Sequence, residues 1–301
     1  MTVDTARYRG RFAPSPSGPL HFGSLIAAVG SYLQAKSHNA PWLLRIEDID
    51  TTRAVPGADS VIMQTLEAFG LFWDGTESYQ TQRLERYQSI FQQLQQQHRT
   101  YGCDCNRARI QALGGQYDNF CRDRALQSSP LAWRLIPSAQ GTPVATEFQD
   151  LVFGTIQIPD AVCQEHYVIK RRDGLFAYQL VVVIDDLDQN IGQVIRGADL
   201  LEMTTKQQAL CQLLGKPAPA YGHLPLAVTT PGFKLSKQNH ATDIRQGVPS
   251  QTMAAALRFL GHPPPIELQG ACPQELLNWA VQHWKLAQVP KQREIIIPHA
   301  S

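Results

Sequence analysis

The stretch Arg9-Gly10-Arg11-Phe12-Ala13-Pro14-Ser15-Pro16-Ser17-Gly18-Pro19-Leu20-His21-Phe22-Gly23-Ser24 limits the fold more sharply than any other part of the chain. Its first residues read as a short buried strand. Pro14, Ser15, Pro16, Ser17, Gly18 and Pro19 then favour one fixed loop and disfavour helix and strand alike. From Phe22 onward Leu25, Ile26, Val29 and Leu33 recur at helical spacing, which predicts a helix beginning near His21 and Gly23. A strand that feeds a helix N-terminus leaves unpaired backbone N–H groups and the positive end of the helix dipole facing outward, a seat for phosphate. His21 and the side-chain-free Gly23 at that mouth would let a nucleotide lie close to the backbone. The stretch has neither the Gly-Lys-Ser/Thr end of a Walker loop nor the Gly-x-Gly-x-x-Gly dinucleotide pattern.

Downstream, Trp42 to Ile46 reads as a second buried strand, ending beside Arg45, Glu47 and Asp48. Pro56-Gly57 opens an amphipathic helix carrying Val61, Ile62, Leu66 and Phe69, which Gly70 closes. Another helix, about Thr81 to Gln97, places Leu84, Tyr87, Ile90, Phe91 and Leu94 on one face. Strand and helix alternating through short links predict a parallel α/β sheet. A chain of 301 residues with 43% hydrophobic and 18% charged residues can bury the core such a sheet needs. Its formal net charge of +1 gives no global sign of a nucleic-acid partner, so any RNA contact is expected to use a local patch. No signal-peptide pattern is read at the N-terminus. The longest apolar run, Leu180 to Ile184, is too short to span a bilayer, and a cytoplasmic protein is expected.

Residues 98–135 break the rhythm. Cys103-Asp104-Cys105, then Tyr117, then Cys121, cluster in a Gly-rich, polar insertion with little apolar periodicity. A lobe with so thin a core needs a staple, and three thiolates suit tetrahedral zinc. On chemistry alone the fourth ligand stays open between Tyr117, His98 and water; the competing reading is three buried free thiols. Cys163, Cys211 and Cys272 stand alone in apolar contexts and are expected to be inert core. With only this local pattern among six cysteines, a reducing compartment is expected rather than a disulfide framework.

Beyond Pro137, Ile156 to Ile158 and His166 to Lys170 read as strands. Leu175 to Ile184 is a buried strand or helix by hydrophobicity, with Asp185-Asp186 as its solvated end. Val194 and Ile195 form a strand that delivers Arg196 and Asp199 to its carboxyl edge, where open α/β sheets bind ligands. A helix over Thr204 to Leu214 follows, then a last strand at Pro225 to Val228. Two helices, about Gln251 to Leu260 and Gln274 to Leu286, flank Pro263-Pro264-Pro265. Arg45 is expected to pair with Asp48 or Asp50, and the histidines other than His21 carry no signal.

The Arg11–Gly18 segment with His21-Phe22-Gly23-Ser24 resembles the HIGH-motif region of class I glutamyl-tRNA synthetases. Further matches stand in the family's order at Leu44–Asp50, Val194–Asp199 and Lys234-Leu235-Ser236-Lys237, the last resembling the KMSKS motif. The resemblance covers roughly residues 7 to 240. It implies a Rossmann-like parallel-sheet catalytic domain in two halves, 1–97 and 136–240, around a zinc-binding insertion at 98–135, with a short helical region at 241–301. It also implies a helix starting near Tyr178, and it favours Tyr117 as the ligand completing Cys103, Cys105 and Cys121.

Roles are implied residue by residue. Arg11 and Arg196 suit the two carboxylates of glutamate by bidentate pairing, and Glu47 suits its ammonium. Ala13, Ser15 and Tyr178 complete that site. His21, Gly23 and Lys237 would hold ATP, with His21, Lys234 and Lys237 acting on the phosphates and Mg2+ bridging them. The implied reaction activates glutamate as glutamyl-adenylate without tRNA and passes it to a nucleic-acid hydroxyl. Residues 238–301 are expected to be too few for the anticodon-binding region of full-length relatives. The short, zinc-bearing branch of the family is the better match, and it implies transfer to queuosine in the anticodon of aspartate tRNA. The alternatives are a minimal glutamyl-tRNA synthetase charging the tRNA 3′ end and a synthetase-like binding paralogue without activity. No membrane and no obligatory protein partner are expected.

Overall fold

The computed structural model describes residues 8–127, 130–138, 142–230, 233–234 and 243–297. The N-terminal part alternates as expected: β1 (Gly10–Phe12), α1 (Phe22–Lys36), β2 (Trp42–Ile46), α2 (Ala58–Ala68), β3 (Ser78–Tyr79) and α3 (Leu84–Gln96). The insertion holds β4 (Thr100–Cys103), α4 (Arg107–Ala112) and β5 (Ala132–Leu135). Next come β6 (Glu147–Asp150), β7 (Gly154–Gln157), α5 (Asp160–Cys163), β8 (Tyr167–Lys170), α6 (Tyr178–Asp188) and β9 (Gln193–Gly197). The chain continues through α7 (Thr204–Leu213), β10 (Ala220–Leu224), β11 (Leu226–Thr230) and β12 (Phe233–Lys234). It closes with α8 (Pro249–Phe259), α9 (Pro273–His283) and β13 (Glu294–Ile296).

Strands β1, β2 and β3 run parallel in that order. A second sheet has the order β7-β6-β10-β9, parallel except for the β6–β7 hairpin. The two abut because the Arg9 carbonyl accepts the Gly192 N–H at 3.1 Å, which sets the start of β9 beside β1. Strands β4, β5 and β8 form an antiparallel sheet, so the insertion is tied back to the segment preceding α6. This strand pair is invisible to a reading of residues 98–135 by periodicity, because each strand is four residues long and half-buried. The parallel pairing of β11 with β13 is likewise unexpected in a region read as helical.

Helix α1 is apolar almost all round and packs against β1, β9, α8 and α9. Its Leu25, Val29 and Leu33 are fully buried, each worth about 1.5–3 kcal/mol relative to exposure. Gly30 lets it ride close over the sheet: a Cβ there would lie 2.5 Å from Leu224 Cδ1. The C-terminal helices share this core through Leu257, Leu277 and Trp284. Trp284 Nε1 donates to Gln34 Oε1 at 2.7 Å, and Gln34 Nε2 donates to Gln193 Oε1 at 2.9 Å, which links α1, β9 and the C-terminal region. A second core, with Tyr87, Phe91, Leu135, Ile169 and Val181, lies between α3, α6 and the antiparallel sheet. No helix among the described residues is long and apolar enough to cross a membrane.

Three expectations fail on packing. Leu84 begins α3 on an exposed face rather than the buried one. Cys272 is exposed and caps α9, while Cys163 and Cys211 are buried as expected. Asp185 and Asp186 are not a solvated end; both are buried within α6, because arginines from other elements come to meet them.

Candidate active site

The parallel strands direct their carboxyl ends into one cleft of about 390 Å³. The loop after β1 enters it in the fixed form its prolines dictate. Gly18 takes φ 137°, a region open to glycine, and Ser15 is exposed. The Pro14 carbonyl accepts the Glu47 N–H at 2.9 Å, which pins this loop to the end of β2. His21 caps α1: its Nδ1 accepts the Ser24 N–H at 3.3 Å, so the neutral ring carries its proton on Nε2.

Arg11, Ala13, Ser15, His21, Gly23, Glu47, Tyr178 and Arg196 all line this cleft. The first turn of α1 thus faces the same space as the Arg11 and Arg196 guanidinium groups and the Glu47 carboxylate, with Asp199 also on the wall. Arg53, which the sequence reading passes over, also borders it. Lys234 contributes backbone to β12, antiparallel to β11, while Lys237 lies outside the described residues.

Bidentate pairing of Arg11 is found, but with a protein carboxylate. Arg11 Nε and Nη2 donate to the two oxygens of Asp186 at 3.2 and 3.3 Å. This side-on fork leaves Nη1 without a protein partner among the described residues. Arg45 does not pair with Asp48 or Asp50. It is fully buried and donates to Asp186 Oδ1 at 2.7 Å, Gln189 Oε1 at 2.6 Å and Glu47 Oε1 at 3.4 Å. Its Nε lacks a hydrogen bond and faces Asp185 at 3.8 Å. Asp48 instead accepts from Thr81, and Asp50 pairs with Arg171.

Asp185 is held by Gln80, Arg83 and the Tyr87 hydroxyl. Burial works against the Asp186 carboxylate, but Arg11 and Arg45 outweigh it and hold its pKa below the ordinary value. Glu47 comes out the other way: burial exceeds the pull of Arg45 and Arg11 and raises it to about 7. A cationic ligand beside Glu47 would restore its charge. Burial and the nearby Glu47 raise the Tyr178 hydroxyl to about 12, so it stays a protonated donor.

Arg196 is anchored from the far side of the cleft. Its Nε donates to His223, Nη1 to Gln207, and Nη2 to the Leu200 carbonyl and the Thr204 hydroxyl. One Nη1 hydrogen has no partner among the described residues, so Arg196 offers a ligand one donor rather than a free fork. Tyr221 lies under the guanidinium, 4.8 Å from ring centroid to Cζ.

The sulfurs of Cys103, Cys105 and Cys121 lie within 4.8 Å of one another and could hold a metal ion. Two oxygens border the group: the Tyr117 hydroxyl, 3.7 Å from Cys103 Sγ and accepting the Cys121 N–H at 2.9 Å, and Asp104 Oδ1, 3.3 Å from Cys121 Sγ. Among the described residues no histidine joins the group, and His98 is exposed at the end of α3. Arg134 donates to Cys103 Sγ at 3.2 Å and lies over the Tyr117 ring. Burial opposes ionisation of Cys103, but hydrogen bonds from Arg134, the Cys105 backbone and Tyr117 hold its pKa below the usual thiol value. This donor set fits a tetrahedral thiolate metal site.

With this geometry in place, residues 7–278 match the family described as tRNA synthetases class I (E and Q), catalytic domain. The chain belongs to that family and is a ligase-type enzyme with the class I glutamyl-type fold. More particularly, it is 53% identical over 291 residues to the glutamyl-Q tRNA(Asp) synthetase of Pectobacterium atrosepticum, covering 97% of this chain and 89% of that protein. It is 51% identical to the enzyme of the same name from Yersinia pestis, covering 98% of this chain and 90% of that protein. Among solved structures, the glutamate-tRNA synthetase of Elizabethkingia anophelis superposes with a TM-score of 0.78 at 24% identity. That likeness extends over 96% of this chain and 68% of the other, and shows the fold.

Proposed function

We propose that this enzyme activates L-glutamate with ATP, without tRNA, and transfers the glutamyl group to queuosine in the anticodon of tRNA(Asp). The observation that carries the reading is the convergence of Arg11, Arg196 and Glu47 at the N-terminus of α1 in a single cleft. Two cations and one anion complement a dicarboxylic amino acid, whose ammonium would also bring Glu47 into its charged form. The substrate carboxylates would meet Nη1 of Arg11 and the remaining Nη1 hydrogen of Arg196. Ser15, Tyr178 and the backbone at Ala13 would add hydrogen bonds. The choice of acceptor RNA rests on the names of the relatives that match nearly the whole chain.

An oxygen of the glutamate α-carboxylate attacks the α-phosphorus of ATP, and the bond to the bridging oxygen breaks, releasing pyrophosphate. His21 Nε2–H and the N–H groups at the start of α1 that His21 does not cap would stabilise the charge that builds on the phosphate oxygens, with Gly23 allowing close approach. Lys234 and Lys237 would neutralise the departing pyrophosphate, and Mg2+ bound with ATP would share that charge. A hydroxyl oxygen of the queuosine ring then attacks the adenylate carbonyl carbon. AMP leaves, and the hydroxyl proton passes to solvent. Cys103, Cys105, Cys121 and Tyr117 would hold Zn2+, which supplies a structural staple to the insertion and no step of the chemistry. Reaction in the cytoplasm, where ATP and tRNA meet, fits this reading.

Glutamate-dependent exchange between ATP and radiolabelled pyrophosphate, run without RNA, tests the first step. Exchange with glutamate and not with glutamine or aspartate is expected. Exchange that starts only when tRNA is added contradicts tRNA-independent activation.

A further inference from the structure

Arg196 owes its pose to a chain of buried groups behind it. Its Nε–H can only donate, so His223 Nε2, at 3.0 Å, must accept. The ring proton therefore sits on Nδ1, where it donates to Asp150 Oδ2 at 2.6 Å. Asp150 is fixed in turn: Oδ1 accepts the backbone N–H groups of Val152 and Phe153 at 2.9 Å and that of His223 at 3.3 Å. His223 is fully buried, and its side chain and that of Asp150 lie off the cleft. The topology brings the three together: β10 lies between β9 and β6, pairing His223 with Arg196 on one side and Tyr221 with Asp150 on the other.

We infer that His223 and Asp150 are positioning residues for substrate recognition, in which the Asp150 carboxylate fixes the Nδ1–H tautomer of His223 so that Nε2 accepts from Arg196 and aims its guanidinium at a substrate carboxylate. The inference deepens the glutamate reading and rests on it. The surroundings favour a neutral ring. Burial lowers the His223 pKa, the Asp150 hydrogen bond opposes this, and Arg196 lowers it further, with Asp199 the other charge near it. Phe148 and Tyr221 pack their rings against it. A protonated or Nε2–H ring would set a donor against a donor and release Arg196.

Asp150→Asn is the sharpest probe, since it alters almost no volume. The three backbone N–H groups at Oδ1 would keep the amide oxygen there, so the NH2 would take the place of Oδ2 and face Nδ1. His223 would then have to accept at Nδ1 and carry its proton on Nε2, which inverts the contact with Arg196. The expected result is a KM for glutamate raised roughly tenfold or more, with the KM for ATP little changed, because a buried donor loses its acceptor. His223→Gln can present oxygen to Arg196 and NH2 to Asp150, so it should recover most of the affinity that His223→Leu loses. Long-range 1H–15N correlations on the labelled full chain should show His223 as the Nδ1–H tautomer in the wild type. An Nε2–H tautomer there overturns the inference even if a variant fails to fold. So does a folded Asp150→Asn enzyme with the wild-type KM for glutamate, or one that loses glutamate and ATP affinity alike. Arg196→Ala in the same assay separates the two levels. An unchanged KM for glutamate in that variant removes Arg196 from the glutamate site, whereas a raised KM beside a normal Asp150→Asn enzyme overturns the positioning role alone.

Discussion

Asp186 grips Arg11 through two hydrogen bonds, Nε to Oδ1 at 3.2 Å and Nη2 to Oδ2 at 3.3 Å, with both side chains about 5% exposed. The same carboxylate holds Arg45 at 2.7 Å, so one acid orients two buried cations beside the cleft. Asp186→Asn would leave both guanidinium groups short of charge compensation, at a cost of about 3–5 kcal/mol. Urea unfolding should report that loss. The sign with pH follows from the depressed carboxyl: its stabilisation is present above the ordinary carboxylate pKa and is lost as pH falls through the lower folded value. The acid limb of the stability profile should therefore be shallower in the variant. An equal urea midpoint for variant and wild type would deny Asp186 this role.

Glu47 gives a second pH signature, in binding. With its pKa raised to about 7 in the free enzyme, most of it is neutral at pH 6 and ionised at pH 8. If the ammonium of glutamate needs the carboxylate, the KM for glutamate at saturating ATP should rise about tenfold from pH 8 to pH 6. Glu47→Gln should bind more weakly and lose that slope. A wild-type KM that stays flat across the range would separate Glu47 from the ammonium.

Zinc in the insertion predicts about one equivalent of metal per chain by elemental analysis, with Cys121→Ser losing most of it. The cluster lies outside the cleft, so this variant should show a lower melting temperature and weaker transfer to RNA, and a smaller loss in pyrophosphate exchange. Wild-type protein free of metal would remove the zinc assignment.

What the sequence could tell depended on whether the deciding contacts were local. The strand at Trp42–Ile46 and the helix from Phe22 form where the apolar pattern puts them, because each is apolar enough along its own length to be buried on nearly every side. The three cysteines were legible for the same reason, as their spacing lies within one short insertion. Asp186 was not: as the second of two acids closing an apolar run, it reads as a solvated end, and its partners Arg11 and Arg45 stand 175 and 141 residues away. The one available hint was that the apolar helix runs into those acids with no Gly, Pro or Ser to break it. His223 carried no signal, since its partners Asp150 and Arg196 meet it only through sheet order. The strand pair β4–β5 escaped because four-residue strands show too little alternation to read.

The proposed acceptor is queuosine in the anticodon of tRNA(Asp), not the tRNA 3′ end. The measurement that tests it most directly follows transfer of radiolabelled glutamate to tRNA(Asp) from cells with and without queuosine synthesis, each with and without its terminal adenosine. Transfer is expected only to the queuosine-bearing tRNA, unaffected by removal of the terminal adenosine. Transfer that ignores queuosine, or that requires the terminal adenosine, contradicts it and makes the protein a minimal glutamyl-tRNA synthetase.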